Sequence, residues 1–165
     1  MIFKKFKDVQ AFVIDVDGVL TNGQILVTET GQQLRQFDIK DGYAVKLAAD
    51  LGYPMAVITG GNCPGVLKRL NDLGIQEVFT GVHEKEQVLV DWLHEKQIDP
   101  AYVLYMGDDI PDLPCLKHVG LPTCPNNASE EVKQVCRYIS PRAGGQGAVR
   151  DVIEKVLKLQ DKWPN

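Results

Sequence analysis

The sequence lacks any hydrophobic run approaching the roughly 20 residues that span a bilayer, so a membrane partner is not expected. Met1-Ile2-Phe3-Lys4-Lys5 lacks the long apolar stretch and small-residue cleavage site of a secretory leader. Both absences point to the cytoplasm. Cysteine is sparse. Cys63, Cys115, Cys124 and Cys136 form no C-x-x-C pair, and His83, His94 and His118 show no zinc-ligand pattern. Reduced, structural thiols are expected. A basic excess is missing too. The net charge of -4 argues against nucleic acid as the main partner, because phosphate backbones need a dense cationic surface. A small anionic substrate stays compatible, since a local basic pocket can sit on an acidic protein. There is no linker, low-complexity stretch or internal repeat. The 165 residues fit one domain, 1–165, around one sizeable core.

What is present is an alternation of strand-like and helix-like segments. Ala11-Phe12-Val13-Ile14 reads as a buried strand running into Asp15-Val16-Asp17-Gly18. A hairpin insertion over about 24–37 follows, with strands at Gln24 to Thr28 and Gln33 to Phe37 around Glu29-Thr30-Gly31-Gln32. Asp41-Gly42 opens a helix from Tyr43 to Leu51, stopped by Gly52. Further strands are expected at 55–58, 77–80, 102–106, 121–123 and 138–139. Further helices are expected at 64–73, 84–96, 113–118, 129–135 and 148–159. Such alternation predicts an α/β fold, a doubly wound parallel sheet with right-handed crossovers.

In such sheets ligands bind beyond the carboxyl ends of the strands. Asp15 and Asp17 follow the first strand, and Thr59 the second. Lys85 follows the third, and Asp108, Asp109 and Asp112 follow the fourth. Each has a plain reading alone: Asp-Gly turns, a Thr-Gly turn, a solvated first-turn lysine, a helix cap. Gathered at one edge, the carboxylates would repel each other and need a cation. Oxygen-only ligands suit a hard one such as Mg2+. Carboxylate, metal, lysine and hydroxyl together match a phosphoryl group.

The set resembles the haloacid dehalogenase superfamily. Its D-x-D-G motif stands at Asp15-Val16-Asp17-Gly18, its Thr or Ser at Thr59, its Lys at Lys85, and its acidic pair within Gly107-Asp108-Asp109-Ile110-Pro111-Asp112. The resemblance implies a haloacid dehalogenase-like Rossmannoid fold and a phosphatase. Asp15 would attack phosphorus, and Asp17 would protonate the leaving oxygen and then activate water. Thr59 and Lys85 would hold phosphoryl oxygens. The Asp15 carboxylate, the Asp17 carbonyl and Asp108 would hold Mg2+, with Asp109 and Asp112 supporting from behind.

No separate cap domain interrupts the chain. The hairpin, with Ile25, Val27, Leu34 and Phe37, has too little area to stand alone. It is expected to pack on partner subunits, the alternative being its own domain. The whole chain is similar to the 3-deoxy-D-manno-octulosonate 8-phosphate phosphatase family. The matches are Asp15 to Leu20, Lys40-Asp41-Gly42-Tyr43, Tyr105-Met106-Gly107-Asp108-Asp109 and the tail Arg142-Ala143-Gly144-Gly145-Gln146-Gly147-Ala148-Val149-Arg150. That resemblance implies a role in lipopolysaccharide precursor synthesis, and a cap-less homotetramer in which a neighbouring subunit helps close each site. It implies substrate contacts at Asp17, Asp38, Ile39, Lys40, Asp41, Gly42, Lys46, Gly60, Arg69, Lys85 and Arg142. Lys40, Lys46 and Arg69 suit a substrate carrying both carboxylate and phosphate. The glycine-rich tail is expected to allow close backbone approach, with Arg142 or Arg150 reaching a site in its own or the next subunit.

One position departs from the pattern. Many family members carry an arginine after the Thr-Gly of the second motif, where this chain has Gly61. A nine-carbon sugar acid 9-phosphate is therefore the nearest alternative substrate. A phosphoacceptor signalling domain is more remote. Such domains place the aspartate pair first and a lone acceptor later, and a second acid two residues after the nucleophile would hasten loss of the signal.

Overall fold

The computed structural model describes residues 1–164. Six parallel strands form one sheet in the order β5-β4-β1-β6-β7-β8. They are β1 (Ala11–Ile14), β4 (Met55–Ile58), β5 (Glu77–Phe79), β6 (Val103–Met106), β7 (Leu121–Cys124) and β8 (Tyr138–Ile139). The hairpin strands β2 (Leu26–Val27) and β3 (Gln33–Leu34) pair separately, Leu26 with Leu34 and Val27 with Gln33. The helices are α1 (Ile2–Lys7), α2 (Ile39–Asp50), α3 (Pro64–Asp72), α4 (Lys85–Lys96), α5 (Leu113–His118), α6 (Glu130–Val135) and α7 (Ala148–Leu159).

The central strands are apolar throughout and buried throughout, as parallel strands covered on both faces must be. Their alternate side chains feed two cores. Phe12, Ile14, Val57, Leu104 and Met106 join residues of α1, α2, α3 and α7. Val13, Ala56, Ile58, Val103 and Tyr105 join residues of α4, α5 and α6. This is the expected doubly wound architecture. Strand order reverses beside β1, so the carboxyl ends of β4, β1 and β6 meet at a switch point where such sheets bind ligands.

Three boundaries differ from expectation for physical reasons. Helix α2 begins at Ile39, because the Asp38 carboxylate accepts from the Lys40 and Asp41 amides and caps the helix there. Asp41 and Gly42 are thus helical residues just inside its start, not residues preceding it. The hairpin strands are two residues each, and most of the hairpin is exposed. Helix α1 has no counterpart in the expected elements; only its Phe6 is buried, too little for a periodic signal. Among the described residues no helix is long and apolar enough to cross a membrane. All four cysteines are free.

Candidate active site

The backbone leaves β1 through a tight irregular turn over Val16–Leu20, in which Gly18 takes φ 84°. Two close approaches need this glycine. A Cβ there would stand 1.9 Å from Asp108 Oδ2. On the other side Gly144 packs so tightly that its own Cβ would fall 1.8 Å from the Gly18 carbonyl oxygen. The Gly145 amide donates to the Val19 carbonyl at 3.0 Å. The glycine-rich tail therefore does allow close backbone approach, and what it approaches is the chain's own D-x-D-G turn.

At the centre lies Lys85, the first residue of α4, buried beneath the sheet edge. Its ammonium donates to Asp15 Oδ1 and Asp112 Oδ1, each at 2.9 Å. Burial alone would lower the Lys85 ammonium. The charges and hydrogen bonds of the two aspartates outweigh it and hold the group well above the usual lysine range. Asp112 is further held by the Tyr105 hydroxyl at 2.8 Å and by the Asp108 amide at 3.0 Å. Thr59 is buried at the end of β4, and its hydroxyl accepts from the Gly61 amide at 3.2 Å.

Asp15, Asp17, Thr59, Gly60, Lys85, Asp108, Asp109 and Asp112 all line one cleft of about 480 Å³. Burial, then the charge of Asp112, raise the Asp15 carboxyl well above the usual range, against the pull of Lys85. Burial and the charges of Asp112 and Asp109 push Asp108 up to about 7. Carboxylate oxygens of Asp15, Asp108 and Asp112 lie within 4.8 Å of one another. An all-oxygen set with two carboxyls raised by burial and like charge fits a hard divalent cation. Asp112 already serves Lys85, Tyr105 and a backbone amide, so Asp108 and Asp15, which gives one oxygen to Lys85, are the carboxylates that could hold it.

The remaining expected substrate contacts are not brought into this cleft within one chain. Asp38, Lys40 and Arg142 line a second cavity of about 880 Å³ together with Arg150. Asp41 is 1% exposed and accepts from the Gly147 amide at 3.2 Å and the Arg150 amide at 2.8 Å, so it caps the start of α7. Gly42 lies under the Arg69 guanidinium, where a Cβ would approach Nη2 to 2.6 Å. Lys46 pairs with Asp50 at 2.6 Å on the solvated face of α2. Ile39 is exposed. Sequence reasoning missed Tyr105, His83 and Arg35. His83 lines the cleft. Arg35 reaches in from the hairpin and binds Asp17.

A family model described as haloacid dehalogenase-like hydrolase matches residues 71–153. The 3-deoxy-D-manno-octulosonate 8-phosphate phosphatase KdsC of Escherichia coli (strain K12) is 34% identical over 161 residues, 98% of this chain and 86% of that protein. The chain belongs to the 3-deoxy-D-manno-octulosonate 8-phosphate phosphatase family. Among solved structures, the Moraxella catarrhalis phosphatase of that name, in complex with magnesium, phosphate and KDO, is 34% identical with a TM-score of 0.93. It is covered over 97% of this chain and 92% of its own. The cobalt-bound Haemophilus influenzae phosphatase of the family is 32% identical with a TM-score of 0.91, over 96% of this chain and 92% of its own. Family membership shows the chain to be a haloacid dehalogenase-like phosphatase.

Proposed function

We propose that this chain hydrolyses 3-deoxy-D-manno-octulosonate 8-phosphate to the free sugar acid and phosphate, with Mg2+ as cofactor. The observation that carries the reading is the buried Lys85 ammonium, shared at 2.9 Å by Asp15 and Asp112 at the switch point of a sheet from this family. When bound, Mg2+ neutralises phosphoryl oxygens and lowers the repulsion that an attacking carboxylate meets. The Asp15 and Asp108 carboxylates and the Asp17 carbonyl would hold it.

In the first step a carboxylate oxygen of Asp15 bonds to phosphorus and the bond from phosphorus to the sugar oxygen breaks. Asp17 gives that oxygen its proton. In the second step Asp17 takes a proton from water, the water oxygen bonds to phosphorus, and the bond to Asp15 breaks to release phosphate. The Thr59 hydroxyl and Lys85 hold phosphoryl oxygens throughout. Lys85 is preorganised for this task, since its aspartate partners fix it before substrate arrives. Asp109 and Asp112 orient the others from behind. Asp17 supplies the base for turnover that a signalling domain would do without.

The assembly we propose is a homotetramer. Leu26 and Val27 are 67% and 62% exposed, with Ile25 and Leu34 beside them at 43% and 48%, so the hairpin's apolar side chains are left largely uncovered. Neighbouring hairpins would cover them, and a neighbour's Asp38, Lys40 and Arg142 cavity would complete the substrate contacts. Light scattering that finds a monomer at micromolar concentration would overturn this assembly. Free cysteines fit the reducing cytoplasm as the compartment. The substrate is tested by phosphate release from a panel of sugar-acid phosphates with and without Mg2+. Faster turnover of a nine-carbon 9-phosphate would replace the eight-carbon assignment.

A further inference from the structure

Arg35 stands apart from the rest of the hairpin. Its neighbours Leu34 and Gln36 are exposed, yet its own side chain is only 7% exposed. Its guanidinium forks Asp17, Nε to Oδ1 at 2.6 Å and Nη2 to Oδ2 at 3.3 Å. The fork lies over the loop that follows β4. A Cβ built on Gly61 would stand 3.5 Å from Arg35 Nη2, 3.5 Å from Asp17 Oδ2 and 3.6 Å from Thr59 Oγ1. Gly61 thus gives the guanidinium its room, and a side chain longer than alanine would contest it. Lys85 is committed to Asp15 and Asp112 deep in the cleft. Arg35 is the cation paired with Asp17, the residue assigned above to protonate the leaving oxygen.

We propose that Arg35 is a specificity-determining residue whose guanidinium receives the carboxylate of the sugar-acid phosphate in exchange for Asp17. The inference rests on the substrate and on the role of Asp17 given above. A guanidinium binds a carboxylate through two parallel N–H bonds, and the substrate carboxylate offers the same two oxygens that Asp17 offers. The exchange releases Asp17 to the leaving oxygen. A phosphate ester without a carboxylate leaves Arg35 on Asp17 and gains nothing from it.

The test measures kcat and KM with Mg2+ for 3-deoxy-D-manno-octulosonate 8-phosphate and for a phosphorylated aldose lacking a carboxylate. Wild type, Arg35→Ala and Arg35→Lys are compared, with thermal unfolding as a fold control. Arg35→Ala is expected to lose about 10- to 100-fold in kcat/KM on the sugar acid, mostly through KM, as a lost hydrogen bond between charged groups predicts. On the aldose phosphate kcat/KM should rise, because Asp17 is released from Arg35 without a substrate carboxylate. Arg35→Lys is expected to recover part of the loss, since charge is kept and the fork is not. Equal losses on both substrates, or no loss on either, would overturn the proposal. Wild-type inactivity on the sugar-acid phosphate alongside turnover of the aldose phosphate would overturn the substrate reading itself, and the role of Arg35 with it.

Discussion

Lys85 and Asp112 share a buried hydrogen bond of 2.9 Å, and Asp112 is the hub around which the cleft is built. One of its oxygens accepts from Lys85 and Tyr105, and the other from the Asp108 and Asp109 amides. A carboxylate with so many donors fixes the lysine, the turn after β6 and Asp108 together. Asp112→Ala leaves the Lys85 charge short of a partner and three further donors orphaned, the Tyr105 hydroxyl and the Asp108 and Asp109 amides. Breaking a buried pair in this way typically costs about 3–5 kcal/mol. Urea denaturation should show a loss in that range, with kcat falling at least about 10-fold as Lys85 loses its place. Tyr105→Phe removes one neutral donor and should cost about 1 kcal/mol.

Asp15 and Asp17 separate by substitution. Asp15→Asn keeps the side chain's shape and removes the attacking charge, so phosphate release should fall to background with the fold retained by circular dichroism. Asp17→Asn should still be phosphorylated slowly but lack the base for hydrolysis. Intact-protein mass spectrometry should then catch the phospho-enzyme. Turnover at the wild-type rate in either variant would remove that residue from its role.

The positions of these residues were legible because each lies at or after the carboxyl end of a strand, where the carboxyl-edge rule looks for ligands. Asp15, Thr59 and Asp108 were placed that way, and Lys85 after the short third strand. Local chemistry hid other features. Asp38 outcompeted Asp41-Gly42 as the start of α2 because its carboxylate reaches two amides. Asp41 reads as a substrate contact in the motif but is drawn to the amides at the start of α7, 106 and 109 residues away. Arg35 was not singled out, and Tyr105 stood in a matched motif without its contact to Asp112. One lies on a short hairpin, the other inside an apolar strand, and each joins the site only through tertiary approach.

Mg2+ should stabilise the protein as well as activate it. A ligand that binds only the folded state at 100 times its dissociation constant adds about 2.7 kcal/mol. Differential scanning fluorimetry should show a rise in Tm with Mg2+ that saturates. Asp108→Asn should abolish most of that rise, because it removes one of the two carboxylates that could hold the cation. Asp109→Asn should retain it, since Asp109 Oδ1 accepts from the Ile110 amide and caps the next turn. An undiminished rise in the Asp108 variant would place the cation elsewhere.

Asp41 gives the fold a pH dependence of its own. Burial pushes its carboxyl from 3.8 up to about 6, although the amides of Arg150 and Gly147 pull the other way. A carboxyl raised on folding binds more protons in the native state than in the unfolded chain between those two values. Stability from this group is therefore complete below about pH 4 and is lost as pH rises through about 6. The full difference is worth up to about 3 kcal/mol. Asp41→Asn is neutral at every pH and removes the effect. Its NH2 group cannot accept an N–H as the hydroxyl oxygen of the protonated acid can, so the variant should be the less stable at pH 4. The stability difference between wild type and variant, from urea denaturation at constant ionic strength, should then shrink toward pH 7. A difference that stays flat from pH 4 to 7 would mean that the two amides hold Asp41 ionised in the folded protein, and that capping of α7 outweighs burial.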